Sequence, residues 1–284
     1  MAKKRILITG SAGTVGSYTS TLFPEFTLLL TTKNDLDVTK KSMVASVIHK
    51  FTPDYVLHLA AKTNVDECEK NPQEAFLTNA RGTENIAKAC KNVNATLIYL
   101  STSAVFNGKK RFYTEKDSPD PINTYGKTKL QGEDAIQKLL KKYFIVRAGW
   151  IIGGGIKEKK FISYMLQQIR DGKKELRVVN DKFGTITYAK ELLKFIKDLL
   201  PTKNYGVYHF GSSGVCSRFT LAKHLVKLLE KETIQIQPVA SALFANSFSA
   251  PRPTYEVIRS QHTTFPSSWK KNIQEYITNE IKTI

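Results

Sequence analysis

Tyr125 and Lys129 stand four positions apart in the run Thr124-Tyr125-Gly126-Lys127-Thr128-Lys129. On a helix that spacing puts both side chains on one face. A phenol beside an ammonium group can act as a proton donor. At a separation of about 5 Å and an effective dielectric of about 20, the Coulomb term is on the order of 3 kcal/mol, or roughly two pKa units. This predicts a Tyr125 phenol that works near pH 7 to 8, about two units below its ordinary value. A lysine-rich chain also produces Tyr-Lys pairs by chance on a solvated helix face, so the pair takes its meaning from its surroundings. Thr96-Leu97-Ile98-Tyr99-Leu100-Ser101-Thr102-Ser103 is a β-rich run ending in three hydroxyl residues. Those hydroxyls either form a turn or cap, or stand at the C-terminal edge of a parallel sheet, where open α/β sheets bind ligands. In the second case a carbonyl oxygen fits between Thr102 and Tyr125.

The elements that must position these groups begin at the N-terminus. Arg5-Ile6-Leu7-Ile8-Thr9 reads as a buried strand, followed by Gly10, Gly13 and Gly16 and a helix over 16–22. Gly10 permits a tight turn, Gly13 lets backbone approach a pyrophosphate, and Gly16 allows close packing of strand and helix. The helix start offers unpaired N–H groups to an anion. A glycine turn with no ligand is the bland alternative.

Strands over 5–9, 27–31, 55–59, 96–100 and 144–148 alternate with helices over 16–22, 42–50, 72–90 and 125–142. Repeated β-α units with buried strands predict a parallel sheet covered by helices on both faces. Asn71-Pro72 is read as a helix start, with Asn as cap and Pro in the first turn. From Trp150 the character changes, and Gly153-Gly154-Gly155 with the charged run after it reads as a flexible crossing. Beyond it come helices over 161–171, 188–200, 220–231 and 268–281, and strands over 176–179, 207–210 and 234–239. This divides the chain into a dinucleotide-binding domain over 1–150, with 186–212 returning to it, and a smaller substrate-binding part over 151–185 and 213–284.

A chain of 284 residues typically buries around 75% of its unfolded surface, enough for a full core. The basic start Met1-Ala2-Lys3-Lys4-Arg5 is followed by an apolar stretch that stops at Gly10, too short for a secretion signal or a membrane span. Cys68, Cys90 and Cys216 are odd in number and far apart, which suits reduced thiols in a cytoplasmic protein and gives no zinc spacing. His49, His58, His209, His224 and His262 form no ligand pattern, so no metal is expected. The net charge of +18 raises the question of nucleic acid. Its clusters, Lys109-Lys110-Arg111, Lys141-Lys142, 157–160, Lys173-Lys174 and Lys270-Lys271, fall in different loops or helix ends. They read as solvated surface that can attract an anionic substrate, with no nucleic acid and no membrane as partner.

Gly10/Gly13/Gly16, Leu59-Ala60-Ala61, Asn79, Ser101-Thr102-Ser103 and the run from Tyr125 through Lys129 to Glu133 together resemble the extended short-chain dehydrogenase/reductases. Thr63-Asn64-Val65-Asp66, Arg147-Ala148-Gly149-Trp150, Asn180-Asp181-Lys182-Phe183-Gly184 and Ala250-Pro251-Arg252-Pro253 bring the resemblance closest to the dTDP-4-dehydrorhamnose reductases, over nearly the whole chain. It implies an α/β fold with a Rossmann-type doubly wound parallel sheet and a smaller C-terminal α/β substrate domain. It also implies an NAD(P)H-dependent reductase of a nucleotide-activated 4-keto-6-deoxy sugar, serving cell-surface polysaccharide biosynthesis. Tyr125 would protonate the carbonyl oxygen while the nicotinamide delivers hydride, and Thr102 would hydrogen-bond the same oxygen. Lys129 would hold the nicotinamide ribose, so that Tyr125 and Lys129 also border the cofactor. Gly13, Thr14 and Val15 would meet the pyrophosphate, Asp37 and Val38 the adenine, and Ala61, Lys62 and Thr63 the middle of the cofactor. Trp150 and Ser103 would face the sugar and Arg252 the substrate diphosphate, against the bland readings of an interface tryptophan and a surface arginine. A homodimer is the assembly the resemblance suggests.

The chain departs from that pattern where the reductases commonly place Asp and Tyr after Ser-Thr, since it has Ser103 and Ala104. A lost hydrogen bond of this kind alters substrate discrimination more than reaction type. At the end of the second strand, where an acidic residue would favour NADH, the chain has Thr31-Thr32-Lys33. Lys33 can meet a 2′-phosphate and tilts the expectation toward NADPH, with Asp35 the opposing argument. Two alternatives stay open: a noncatalytic dinucleotide-binding regulatory subunit, and an epimerase or dehydratase of the same superfamily.

Overall fold

A computed structural model describes residues 3–281, so Met1 and Ala2 of the basic start lie outside it. The apolar run of β1 (Arg5–Thr9) is buried from Ile6 onward and leads through the glycine turn into a 3-10 turn (Gly16–Tyr18) and α1 (Thr19–Leu22). β2 (Thr27–Thr31), α2 (Lys41–Phe51) and β3 (Tyr55–His58) complete the first β-α-β units. Next comes α3 (Val65–Lys70), whose cap Asn64 accepts from the backbone N–H groups of Asp66 and Glu67.

The single helix expected over 72–90 is three pieces: α4 (Pro72–Ala75), a π-helical stretch (Phe76–Arg81) and α5 (Gly82–Val93). Asn71 makes no side-chain capping bond, although Pro72 sits in the first turn as expected. The wide turn places Asn79 where its side chain reaches the loop after β3. This is the use to which π-turns are often put.

β4 (Thr96–Thr102) runs two residues further than its apolar stretch predicts, carrying Ser101 and Thr102 as strand residues paired with Arg147 and Ala148. α6 (Thr124–Leu139) and β5 (Tyr143–Ala148) follow. Then come β6 (Trp150–Ile152), α7 (Phe161–Arg170), β7 (Glu175–Val179), β8 (Phe183–Gly184) and β9 (Ile186–Tyr188). α8 (Ala189–Leu199) leads to β10 (Gly206–Phe210), the last strand of the central sheet.

That sheet is six-stranded and parallel, in the order β10-β5-β4-β3-β1-β2. The chain turns outward in opposite senses from β1, to β2 on one side and to β3 on the other. The C-terminal ends of β1 and β3 therefore flank the topological switch point, where a ligand crevice forms in open α/β sheets. Two apolar layers sandwich the sheet. One joins Ile6, Ile8, Leu57, Ile98, Phe144 and Val146 to the buried face of α8, and the other packs Leu7, Val56, Leu97 and Ile145 against α2 and α5.

The rest of the chain builds a second core. β11 (Cys216–Ser217), α9 (Arg218–Leu228), β12 (Gln235–Val239) and α10 (Trp269–Glu280) join α7 and β7 in it, with β13 (Tyr255–Glu256) beside it. β11, β8 and β13 form a three-stranded sheet, while β12 with β7 and β6 with β9 form parallel pairs. The crossing after β6 is not a loose linker. The Gly154 N–H donates to the Tyr18 hydroxyl, and Glu158 accepts from the N–H groups of Lys160 and Ser163, closing the start of α7.

Candidate active site

The glycine turn works as its spacing demands. Gly10 has φ of +68°, and a Cβ there would lie 2.8 Å from the Ala60 nitrogen, so only glycine lets the β1 and β3 loops meet. A Cβ on Gly16 would come within 2.6 Å of the Gly10 carbonyl, so the helix start is drawn hard onto the turn. Around Gly13 only the Gly10 carbonyl oxygen lies within 4 Å of a notional Cβ, at 3.3 Å. Its outer face is therefore open, which suits backbone that must approach an anion.

A cleft of about 360 Å³ opens at this switch point. Its wall includes Gly10, Gly13, Thr14, Val15 and Gly16 from the turn, Lys33, Asp37 and Val38 after β2, and Ala61, Lys62 and Thr63 after β3. These are the cleft residues expected from the sequence. Asp35 is elsewhere engaged: its carboxylate accepts from the backbone N–H and hydroxyl of Thr32, which hold it below the usual carboxylate range. Asp37 is similarly tied to Thr39. The wall also contains Glu158 and Lys160, which sequence reading missed because they lie in the charged run taken for a linker.

Asn79 braces the cleft. Its side chain accepts from the Lys62 N–H at 2.8 Å, donates to the Lys62 carbonyl at 3.0 Å, and donates to the Thr128 hydroxyl at 3.1 Å. It thus fixes the β3 loop to α6. Beneath it, His58 bridges Thr9 and Thr83. Full burial pushes its imidazole down to about 3, so it is a neutral structural group.

Set back from the cleft wall is a second group of side chains. Asn123 caps α6 by accepting from the Gly126 N–H at 2.9 Å and donates its amide to the Pro251 carbonyl at 3.0 Å. Gly126 is packed directly on the Ala104 carbonyl, with no room for a Cβ. That close approach brings Tyr125 to the end of β4, beside Thr102. Thr102 itself accepts from the Ala104 N–H at 3.1 Å.

Lys129 lies one turn further along α6 and is 2% exposed. Its Nζ donates to the Leu100 carbonyl at 2.8 Å and sits 3.9 Å from the centre of the Tyr99 ring. Leu100 also lines the cleft, so the buried amine is bonded to a residue of the cleft wall while standing behind it. Burial pulls the Lys129 amine down to about 7, against a smaller opposing effect of Glu133.

The titration of Tyr125 differs from the expectation. Burial pushes its phenol up to about 12, while Thr102 beside it acts in the opposite direction. The shift to pH 7 to 8 reckoned from the helix spacing assumed an ammonium pointing at the phenol, whereas the Lys129 Nζ is drawn to Leu100. A phenol held at about 12 stays protonated at neutral pH. That is the state a proton donor requires.

Trp150 heads β6, with Gly184 packed on its ring and the Arg218 guanidinium 3.7 Å from the ring centre. Its Nε1 donates to Glu256 at 3.2 Å. Ser103 donates to the same carboxylate at 3.3 Å, so Thr102, Ser103, Tyr125, Trp150 and Glu256 share one neighbourhood. Arg252 is not a free surface side chain. It pairs with Asp66 at 2.6 Å and donates to the Ala250 carbonyl at 3.0 Å. Among the described residues no group of three or more His, Cys, Asp or Glu side chains could hold a metal ion.

Fold and site define a dinucleotide-binding α/β protein of the extended short-chain dehydrogenase/reductase superfamily. Residues 4–281 match the RmlD substrate binding domain, and the chain belongs to that family. The spore coat polysaccharide biosynthesis protein SpsK of Bacillus subtilis (strain 168) is 31% identical over 280 residues, covering 96% of each chain. A crystal structure of dTDP-4-dehydrorhamnose reductase from Bacillus anthracis str. Ames in complex with NADP superposes with a TM-score of 0.92, at 32% identity, over 98% of this chain and 99% of that one. The dTDP-4-dehydrorhamnose reductase of Yersinia enterocolitica is 40% identical, with a TM-score of 0.90 over 97% and 99% of the two chains.

Proposed function

We propose that the protein is an NADPH-dependent reductase of a nucleotide-activated 4-keto-6-deoxy sugar, of the kind that acts on dTDP-4-dehydrorhamnose for polysaccharide synthesis. The observation that carries this reading is that Tyr125 stands beside Thr102 at the end of β4 while the buried Lys129 amine, one turn along the same helix, is bonded to Leu100 of the glycine-turn cleft. Support comes from the relatives, whose names describe reductases of this sugar nucleotide, one of them solved with NADP.

The cofactor residues fit a dinucleotide phosphate. The open face of Gly13 admits a pyrophosphate, and Lys33 stands at the adenosine end of the cleft while Asp35 is occupied by Thr32. When bound, the reduced nicotinamide supplies hydride to the carbonyl carbon. Tyr125 gives its phenolic proton to the oxygen of that carbonyl as negative charge develops there. Thr102 orients the same oxygen by donating its hydroxyl hydrogen. Lys129, its amine held on the Leu100 carbonyl, helps hold the nicotinamide ribose. The three buried thiols, Cys68, Cys90 and Cys216, are free, as suits work in a reducing cytoplasm.

The test is to mix the protein with NADPH or NADH and a panel of 4-keto-6-deoxy sugar nucleotides and follow nicotinamide absorbance. Oxidation of NADPH faster than NADH with a dTDP-linked 4-keto sugar is the expected result. No oxidation with any member of the panel would overturn the reading.

A further inference from the structure

Glu256 lies 153 residues beyond Ser103 in the chain, yet its carboxylate stands against it. β13 is only two residues long, and its parallel pairing with β8 delivers Glu256 opposite Gly184, the residue packed on Trp150. One carboxylate oxygen accepts from Trp150 Nε1 at 3.2 Å and the other from Ser103 Oγ at 3.3 Å. Position 103 itself brings no charge, and Ser103 is wholly buried.

The Arg218 guanidinium, half-buried and stacked on the Trp150 ring, lies in the same neighbourhood and acts electrostatically with Glu256. Glu256 also acts electrostatically on the Tyr125 phenol, raising it. Ser103 directly follows Thr102, so the carboxylate stands at the same end of β4 as the proton donor, and it is only half-buried. A carboxylate has about four lone-pair directions. Two are used by Trp150 and Ser103, so acceptor capacity remains beside the place where the sugar must sit.

We propose that Glu256 accepts a hydrogen bond from a ring hydroxyl of the sugar and so decides which hexose the site takes. The acid that reads the sugar is supplied by the C-terminal part of the chain rather than by the segment after Thr102. This rests on the reductase reading above. The competing role is structural, with Glu256 serving only to hold Trp150 and neutralise Arg218.

The experiment uses calorimetry of dTDP-rhamnose and of dTDP alone on the NADP-loaded protein, with kcat and KM for dTDP-4-dehydrorhamnose measured alongside. Glu256→Gln keeps an acceptor for Trp150 and retains the side-chain shape. Glu256→Ser removes the acid, and Ser103→Asp combined with Glu256→Ser returns a carboxylate to the same place from the other side. Both single variants should weaken dTDP-rhamnose and raise KM by about 10- to 100-fold, as expected for a lost hydrogen bond to a charged group. In them kcat should stay within about threefold and dTDP should bind as in the wild type, and the double variant should recover most of the loss.

An unchanged dTDP-rhamnose affinity in Glu256→Gln, or a parallel loss of dTDP binding, would overturn the proposal. Glu256-dependent binding without NADPH oxidation would overturn the reductase reading and leave Glu256 in place. Turnover with a KM indifferent to Glu256 would do the reverse. A wild type that binds no dTDP-hexose would remove both.

Discussion

Arg147 and Glu133 form a buried ion pair directly behind the end of β4. The guanidinium reaches both carboxylate oxygens, with Nη2 at 2.6 Å from Oε2 and Nε at 3.1 Å from each oxygen. Their side chains are 5% and 0% exposed. Glu133 also accepts from the Ser101 hydroxyl at 2.5 Å, so the pair ties β4, β5 and α6 together one residue before Thr102. Removing one member leaves an uncompensated buried charge, which costs about 3–5 kcal/mol, whereas replacing both by apolar residues is often close to neutral. Glu133→Leu should therefore lower stability to urea by that order, and adding Arg147→Met should restore much of it. A single variant that unfolds at the wild-type midpoint would remove this account of the pair.

Tyr125→Phe tests the proton donor. The ring and its packing survive while the hydroxyl beside Thr102 is lost. Turnover should fall by about 10² to 10⁴, with the NADPH dissociation constant unchanged. Thr102→Val should cost less, on the order of tenfold, the worth of one neutral hydrogen bond, because Tyr125 still donates its proton. Full activity in Tyr125→Phe would exclude the role given to the phenol.

Much of the fold and of the cleft is legible in the sequence, for identifiable reasons. The apolar runs of β1 and β4 and the spacing of Gly10, Gly13 and Gly16 are local signals, and local signals place the cleft wall from Gly10 to Thr63. The break in the helix over 72–90 was not legible. It depends on Asn79 reaching Lys62 and Thr128, a tertiary contact that overrides helix propensity. Glu256 gave no signal either, since an isolated acid in a two-residue strand looks like surface until β8 pairs with it. The direction of the Tyr125 shift failed for a related reason. Sequence spacing gives the face shared with Lys129, but burial and the Leu100 carbonyl decide where the charge goes.

Lys129 should make stability depend on pH. Its amine titrates near 7 in the folded protein and at its ordinary value of 10.5 when unfolded. Between those values the unfolded chain binds the extra proton, so stability rises with pH across this window. Below about 7 both states are protonated and the cost of the buried charge is fully present. Lys129→Met should thus be inactive yet more stable than the wild type at pH 6, by on the order of a few kcal/mol, with the gap narrowing toward pH 10. Thermal melts across that range check the trend. A gap that widens with pH would mean that the amine is not charged at a cost in the fold.

Lys33 is the last residue whose role can be isolated. It lines the cleft after β2, the part assigned above to the adenosine, and Asp35 beside it is turned to Thr32 rather than to the cleft. A cation at this place favours a 2′-phosphate over a free ribose hydroxyl. Lys33→Ala should raise the KM for NADPH by about tenfold, the loss expected for one charge-assisted contact at a partly solvated site, and leave NADH within about twofold. Addition of salt should narrow the difference between the two cofactors in the wild type more than in the variant, because an exposed ion pair is screened. Equal effects on NADPH and NADH would show that Lys33 does not read the phosphate and would move the source of cofactor preference to another residue of the cleft.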